Sequence, residues 1–202
     1  MQSYKQRFLQ PGCRLISEPE RLKYMIYFTA DTHFCHANII GSCNRPFKDV
    51  HQMNRVIIEK WNSYVTDRDD VYILGDFMYK GKGRDANKIL SRLKGRKYLV
   101  KGNHENYLTD INFRQGAFEW VKDYYVLKLE GGMKVVLFHF PIFRWDSAHH
   151  GSYHLYGHVH NSAEKYPDFG ERLKLLGPRA FNVGVDVNDF YPVSLKQIMD
   201  MK

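Results

Sequence analysis

Cysteine is scarce: three residues, Cys13, Cys35 and Cys43, in a chain of 202. They form no paired framework, which excludes a disulfide-built secreted fold and fits a cytoplasmic protein with reduced thiols. Long apolar runs are also missing. Nothing approaches the roughly 20 residues of a membrane-spanning helix, and the first residues lack a signal-type apolar core, so no membrane association is expected. There is no linker rich in serine, glycine or proline, no internal repeat and no low-complexity tract, which excludes solenoids and tethered arrays. Acidic residues are the minority charge, 22 against 30 lysines and arginines, for a formal net charge of +8. That balance favours an anionic partner, either a phosphorylated small molecule or nucleotide, with nucleic acid as the alternative. The basic residues are scattered, however (Lys80, Lys82, Arg84; Lys94, Arg96, Lys97; Arg172, Lys174), as solvated faces also are.

At 44% hydrophobic residues the chain is long enough for one substantial core, and residues 1–202 read as a single domain. Residues 1–24 are polar and irregular and form either a loosely packed arm or an added strand.

A recurring layout organises the rest. Met25-Ile26-Tyr27-Phe28-Thr29 reads as a buried strand with Asp31 and His33 just beyond its end. Val71 to Leu74 leads likewise into Gly75-Asp76, Tyr98 to Val100 into Gly102-Asn103-His104-Glu105, Val135 to Phe138 into His139, and Tyr153 to Tyr156 into Gly157-His158-Val159-His160. Side chains placed off the ends of neighbouring strands converge on one rim of a sheet. Asp49 with Gln52 opens a helix with Met53, Val56, Ile57, Trp61, Tyr64 and Val65 at helical spacing, which covers the sheet. A second helix is expected from Asp85 to Lys94, stopped by Gly95. Gly131-Gly132 marks a hairpin, Phe181 to Val185 a late strand, and Ser194 with Gln197 a terminal helix. The whole suggests a two-layered β core flanked by helices.

The clusters supply hard oxygen and imidazole donors in the number a two-metal hydrolase needs. Asp31 and His33 are two apart, as are His158 and His160; Asp76 is the natural bridge, because a carboxylate oxygen can bind two cations, Asn103 offers a carbonyl oxygen and His139 an imidazole. Each signal alone has a plainer reading. Asp-x-His occurs by chance, Gly-Asp is usually a turn, and a single histidine after a strand is more often structural than a ligand. Five such clusters in one strand-end setting are not explained that way.

In this order the motifs Asp31-x-His33, Gly75-Asp76, Gly102-Asn103-His104-Glu105, His139 and Gly157-His158-x-His160 resemble the calcineurin-like metallophosphoesterases over roughly residues 25 to 195. Asp31 to Ile40, Arg45-Pro46-Phe47 and Tyr72 to Phe77 are similar to a small single-domain bacterial and phage group, in which Cys35 would usually be glycine. The resemblance implies an α/β fold, a four-layered α/β/β/α sandwich. It assigns Asp31, His33 and His160 to one divalent metal, Asn103, His139 and His158 to a second, and Asp76 to both. Mn2+ is the first expectation, with Fe, Zn2+ or Ni2+ as alternatives. The implied activity is hydrolysis of a phosphodiester or nucleotide-like phosphomonoester by metal-activated water, with His104 as catalytic residue beside the site. A metal-dependent nuclease and a catalytically inactive scaffold of the same fold are the competing readings, the latter opposed by the complete ligand set.

Other residues carry weaker expectations. Arg45 and His36, close to the first cluster, are candidates for gripping substrate, Arg45 through bidentate contact with a phosphate oxygen and otherwise as a surface salt bridge. His149 and His150 are expected at the surface within reach of substrate, and His154 packed. Phe140, Phe143, Trp145 and Tyr156 either stack on a base or belong to the core. Cys35 and Cys43 are possible soft-metal donors that the oxygen-rich set argues against.

Overall fold

A computed structural model describes residues 24–201; the expected N-terminal arm, apart from Tyr24, and Cys13 lie outside the described residues. The elements in chain order are β1 (Ile26–Thr29), α1 (Asn38–Ser42), α2 (Val50–Tyr64), β2 (Asp70–Leu74), α3 (Gly83–Leu90), β3 (Arg96–Val100), β4 (Val121–Lys122), β5 (Tyr125–Lys128), β6 (Lys134–Leu137), β7 (Tyr153–Tyr156), α4 (Ser162–Lys165), α5 (Pro167–Lys174), β8 (Ala180–Asn182), β9 (Val193–Ser194) and α6 (Leu195–Asp200).

Two mixed sheets result. One has the order β4-β3-β2-β1-β9, the other β5-β6-β7-β8. In the first, β1 to β4 run parallel and β9 pairs antiparallel with β1; in the second, β6, β7 and β8 run parallel and β5 returns antiparallel along β6. Successive side chains of a strand point to opposite faces, and the sequence uses both faces. Val71 and Ile73 meet Met53, Ile57 and Trp61 of α2 and Ile89 and Leu90 of α3. Tyr72 and Leu74 instead meet Val135 and Leu137 of β6 and Leu155 of β7, so the core's second half lies between the sheets. On the far face of the second sheet Tyr156 packs with Val159 and Leu176 against Phe169 and Leu173 of the α5 region. Helices, sheet, sheet and helices thus form the four layers of an α/β/β/α sandwich.

Local chemistry accounts for the element ends. Asp49 Oδ1 accepts from the Gln52 backbone N–H at 2.7 Å while Gln52 Oε1 accepts from that of Lys48, which opens α2 as expected. Its Trp61 is buried and donates Nε1–H to the Lys94 carbonyl; truncation of such a residue typically costs about 3–5 kcal/mol. The hairpin between β5 and β6 turns on Gly131 and Gly132, both at φ near +80° (78° and 81°).

Two expectations need correction. The second helix begins at Gly83, where Asp85 Oδ2 accepts from the Lys82 backbone N–H, and ends at Leu90 rather than Lys94. Gly95, at φ +83°, serves the turn into β3, packed so closely against Val65 and Asp69 that a Cβ would press on both. The late strand stops at Asn182; Gly184 makes only a bridge to Ala30, and Val185–Val187 coil into a 3₁₀ turn. No helix among the described residues is long and apolar enough to cross a membrane.

Candidate metal centre

Three parallel strands of the first sheet and two of the second lead into the predicted donors, which sit just past their ends. Asp31 and His33 follow β1, Asp76 follows β2, Asn103 follows β3, His139 follows β6, and His158 and His160 follow β7. Asp31, His33, Asp76, His158 and His160 all adopt positive φ, between 47° and 69°. Left-handed backbone is uncommon outside glycine and is held in place only by its surroundings. Here crossing hydrogen bonds hold it: Asp31 N–H donates to Gly75 O, His33 N–H to Asp76 O, and Gly157 N–H to His139 O. Gly102 lies so close to Asp76 that a Cβ would collide with its carboxylate and its backbone nitrogen.

The donors form two groups, Asp31 with His33 and His160, and Asp76 with His139 and His158, in each of which one donor atom per residue lies within 4.8 Å of the others. Asn103 joins the second group, its Oδ1 standing 3.1 Å from both His139 Nε2 and His158 Nδ1. Asp76 lies between them. Its Oδ2 is 3.4 Å from His33 Nε2 and its Oδ1 is 3.6 Å from His139 Nε2, so one oxygen faces each group.

His33 Nε2 is buried and, among the described residues, has no hydrogen-bond partner. A bare buried acceptor or donor costs about 1–3 kcal/mol. Two donors on one divalent ion at bond lengths of about 2.1 Å stand about 3.0–3.4 Å apart, which is the spacing His33 and Asp76 show.

Three imidazoles are oriented from behind. His33 Nδ1 pairs with His36 Nδ1 at 3.4 Å, His139 Nδ1–H donates to the Leu74 carbonyl at 2.8 Å, and His160 Nδ1–H donates to Asp186 Oδ2 at 2.7 Å. For His139 and His160 the oxygen partner holds the proton on Nδ1 and leaves Nε2 to face an ion. Burial, with His160 and Arg45 nearby, pulls His33 down to about 2. Burial likewise lowers His139, against the pull of Asp76, and His158. Neutral imidazoles are the ligating form. Burial pushes Asp31 up to about 7 despite His160 beside it, with Asp76 and Asp186 adding to the rise. His160 is the exception. Burial opposes its charge, but Asp186, Cys43 and Asp31 raise it to about 10. Crowded carboxylates and neutral imidazoles in a buried pocket fit divalent cations.

The remaining predicted residues divide. His104 is half-buried at the rim; its backbone N–H donates to Asp76 Oδ1 at 3.0 Å, and its ring meets the edge of Tyr79 at 4.5 Å. His36 packs between His33 and Tyr79, so its visible contact is with a donor rather than with open space. Arg45 does not reach toward a substrate, and it is no surface salt bridge either. Its guanidinium is wholly buried and its N–H groups go to Asp186, the Asp31 and Thr32 carbonyls and Met53 sulfur, leaving none for a phosphate. Asp186 itself is the residue the sequence reading missed. Cys43, His160 and Asp186 also cluster within 4.8 Å, but Arg45 occupies both Asp186 oxygens.

His154 is packed as expected, its Nε2 accepting from the Ile142 backbone N–H at 3.2 Å. Tyr156 belongs to the core and Trp145 donates Nε1–H to Ser152, whereas Phe140 and Phe143 are exposed. His149 and His150 are exposed and belong to neither donor group. Cys35 takes a left-handed backbone at φ 65°, with Asn54 bonding its backbone N–H and its sulfur, and burial pushes its thiol up.

The calcineurin-like phosphoesterase family model matches residues 24–162. The chain belongs to the calcineurin-like phosphoesterase family. That family's chemistry is metal-dependent phosphoester hydrolysis, and the two donor groups suit it. This calcineurin-like phosphoesterase is 36% identical over 181 residues to the uncharacterized protein MJ1445 of Methanocaldococcus jannaschii, across 87% of this chain and 90% of that one. Among solved structures it is similar to the protein of unknown function AQ665 from Aquifex aeolicus, with a TM-score of 0.65 and 26% identity over 89% of this phosphoesterase and all of that chain (100%). Asp186 lies beyond the stretch that the family model matches.

Proposed function

We propose that the protein is a dinuclear-metal phosphoesterase that hydrolyses a phosphodiester or a nucleotide-like phosphomonoester, with Mn2+ the first candidate and Fe, Zn2+ or Ni2+ as alternatives. The observation that carries this reading is Asp76, one carboxylate with one oxygen facing each of two donor groups. Asp31, His33 and His160 would hold one ion, Asn103, His139 and His158 the other, and Asp76 both. When bound, such a pair supplies Lewis acidity to the phosphoryl oxygens and a nucleophile at neutral pH.

The chain's own residues do the rest. His104, anchored through its backbone to Asp76 and braced by Tyr79, is placed at the rim to hydrogen-bond a phosphate oxygen or to protonate the departing alkoxide. His36 fixes the ring of His33. Phe140 is 36% exposed and its ring lies 4.6 Å from that of His158, so the rim beside the second group carries a flat apolar face. Flat faces stack on bases, which together with the +8 charge supports a nucleotide-like substrate. Among the described residues Cys35 and Cys43 form no disulfide.

The test is hydrolysis of aryl phosphate mono- and diesters by Mn2+-reconstituted protein beside Asp76→Asn. Turnover in the wild type and its loss in the variant support the reading; no turnover in either removes it. Adding oligonucleotides at two salt concentrations tests the nuclease alternative, because only binding to a polyanion falls steeply with salt.

A further inference from the structure

Arg45 and Asp186 form an ion pair whose side chains are 0% and 1% exposed, 141 residues apart in sequence. Nε donates to Oδ1 at 2.8 Å and Nη2 to Oδ2 at 2.9 Å, the two-pronged geometry that a guanidinium and a carboxylate make best. Buried ion pairs contribute little net stability compared with apolar packing of the same volume. What this one contributes is direction, and all of it points at one half of the centre.

We propose that Arg45 and Asp186 are the positioning pair of the ion site formed by Asp31, His33 and His160. On one side Arg45 Nη2 donates to the Asp31 carbonyl at 2.7 Å and Nη1 to the Thr32 carbonyl at 3.0 Å. Those bonds pin the loop in which Asp31 and His33 both hold left-handed backbone. On the other side Asp186 Oδ2 accepts His160 Nδ1–H at 2.7 Å, which turns Nε2 of that ring toward an ion. The charge pair thereby joins the Asp31 loop to the His160 ring. Asp186 is itself seated by backbone. It lies in the 3₁₀ turn after β8, where Val185 N–H donates to the Ala30 carbonyl at 3.0 Å, and Asn188 ties that turn to Gly184 and Asn182. Among the described residues neither Arg45 nor Asp186 hydrogen-bonds to Asp76, Asn103, His139 or His158. Two of them meet the pinned loop through backbone, the His158 N–H donating to the Asp31 carboxylate at 3.0 and 2.8 Å and the His33 N–H to the Asp76 carbonyl, while His139 is oriented by the Leu74 carbonyl.

This inference rests on the two-ion reading above, and its test separates the two. Mn2+ binding to wild type, Asp186→Asn and the double variant Arg45→Met with Asp186→Asn is followed by calorimetry, with bound-ion number read by electron paramagnetic resonance. Unfolding midpoints are taken on the same samples. The double variant matters because Asp186→Asn leaves the Arg45 charge buried and unpaired, a defect that can unfold the protein. In a folded variant, one of two ions should bind about 10–100-fold more weakly while the other keeps its affinity. Both ions bound as tightly as in wild type would overturn the proposal. So would equal weakening of both, or failure of both variants to fold, since either means a general structural role. A wild type that binds fewer than two ions overturns the dinuclear reading and this pair's role with it.

Discussion

His33 Nε2 stands 3.4 Å from Asp76 Oδ2, buried and, among the described residues, without a hydrogen bond of its own. The distance is long for a charge-assisted hydrogen bond, which runs about 2.7–2.9 Å, and right for two donors of one ion. Because the other Asp76 oxygen faces His139, substitutions at the two positions should differ in kind. His33→Ala should weaken one ion, and Asp76→Asn both, by titration with Mn2+ followed calorimetrically. Equal effects from the two variants would mean that Asp76 does not serve both groups.

His104 is tied to Asp76 through backbone, not side chain, so His104→Ala should leave both ions bound. If the ring assists the leaving group, kcat falls about 10²–10⁴-fold. The loss should be larger for an alkyl ester, whose alkoxide needs a proton, than for a nitrophenyl ester. Equal losses on the two esters would leave phosphate binding as the ring's role.

Gly102→Ala puts a methyl group where the Asp76 carboxylate and backbone nitrogen already stand. Asp76 must move, and the expected result is weaker binding of both ions, together with a destabilisation of about 1–3 kcal/mol from overpacking. Unaltered Mn2+ affinity in Gly102→Ala would show that the carboxylate's position is not critical.

The clusters were legible because their rule is local: a buried strand, then a polar residue at its end. That rule places Asp31, Asp76, Asn103, His139 and His158 on one rim, and alternation along Val71 to Leu74 already implies a sheet covered on both faces. Arg45 was not legible in this way. An arginine in a turn reads as surface, and only tertiary packing brings a carboxylate from 141 residues away to bury it. Asp186 hides for a related reason. Reading Phe181 to Val185 as one strand places it beyond the chemistry, whereas the backbone leaves the sheet at Asn182 and puts Asp186 on the same rim. The early end of the second helix was equally out of reach, since Leu93 keeps the helical spacing and is buried from a turn instead.

His154 gives a pH signature separate from the ion site. It is fully buried, and burial pulls its pKa down to about 4 despite bonds to the Val136 and Phe140 backbone. With the unfolded value near 6.5, the unfolded chain takes up this proton first as pH falls. Stability is therefore full above about 6.5 and is lost between about 6.5 and 4, by roughly 3 kcal/mol. Urea unfolding at pH 7.5 and 5 should show about 2 kcal/mol of that drop in wild type, and His154→Leu should show a smaller one. The same drop in both proteins would place the acid sensitivity elsewhere.

The centre itself is tested most directly by anomalous diffraction from crystals grown with Mn2+. The account predicts two peaks about 3.5–4 Å apart, one among Asp31, His33 and His160, one among Asn103, His139 and His158, with Asp76 touching both. A single peak, or none at these seven side chains, would contradict it.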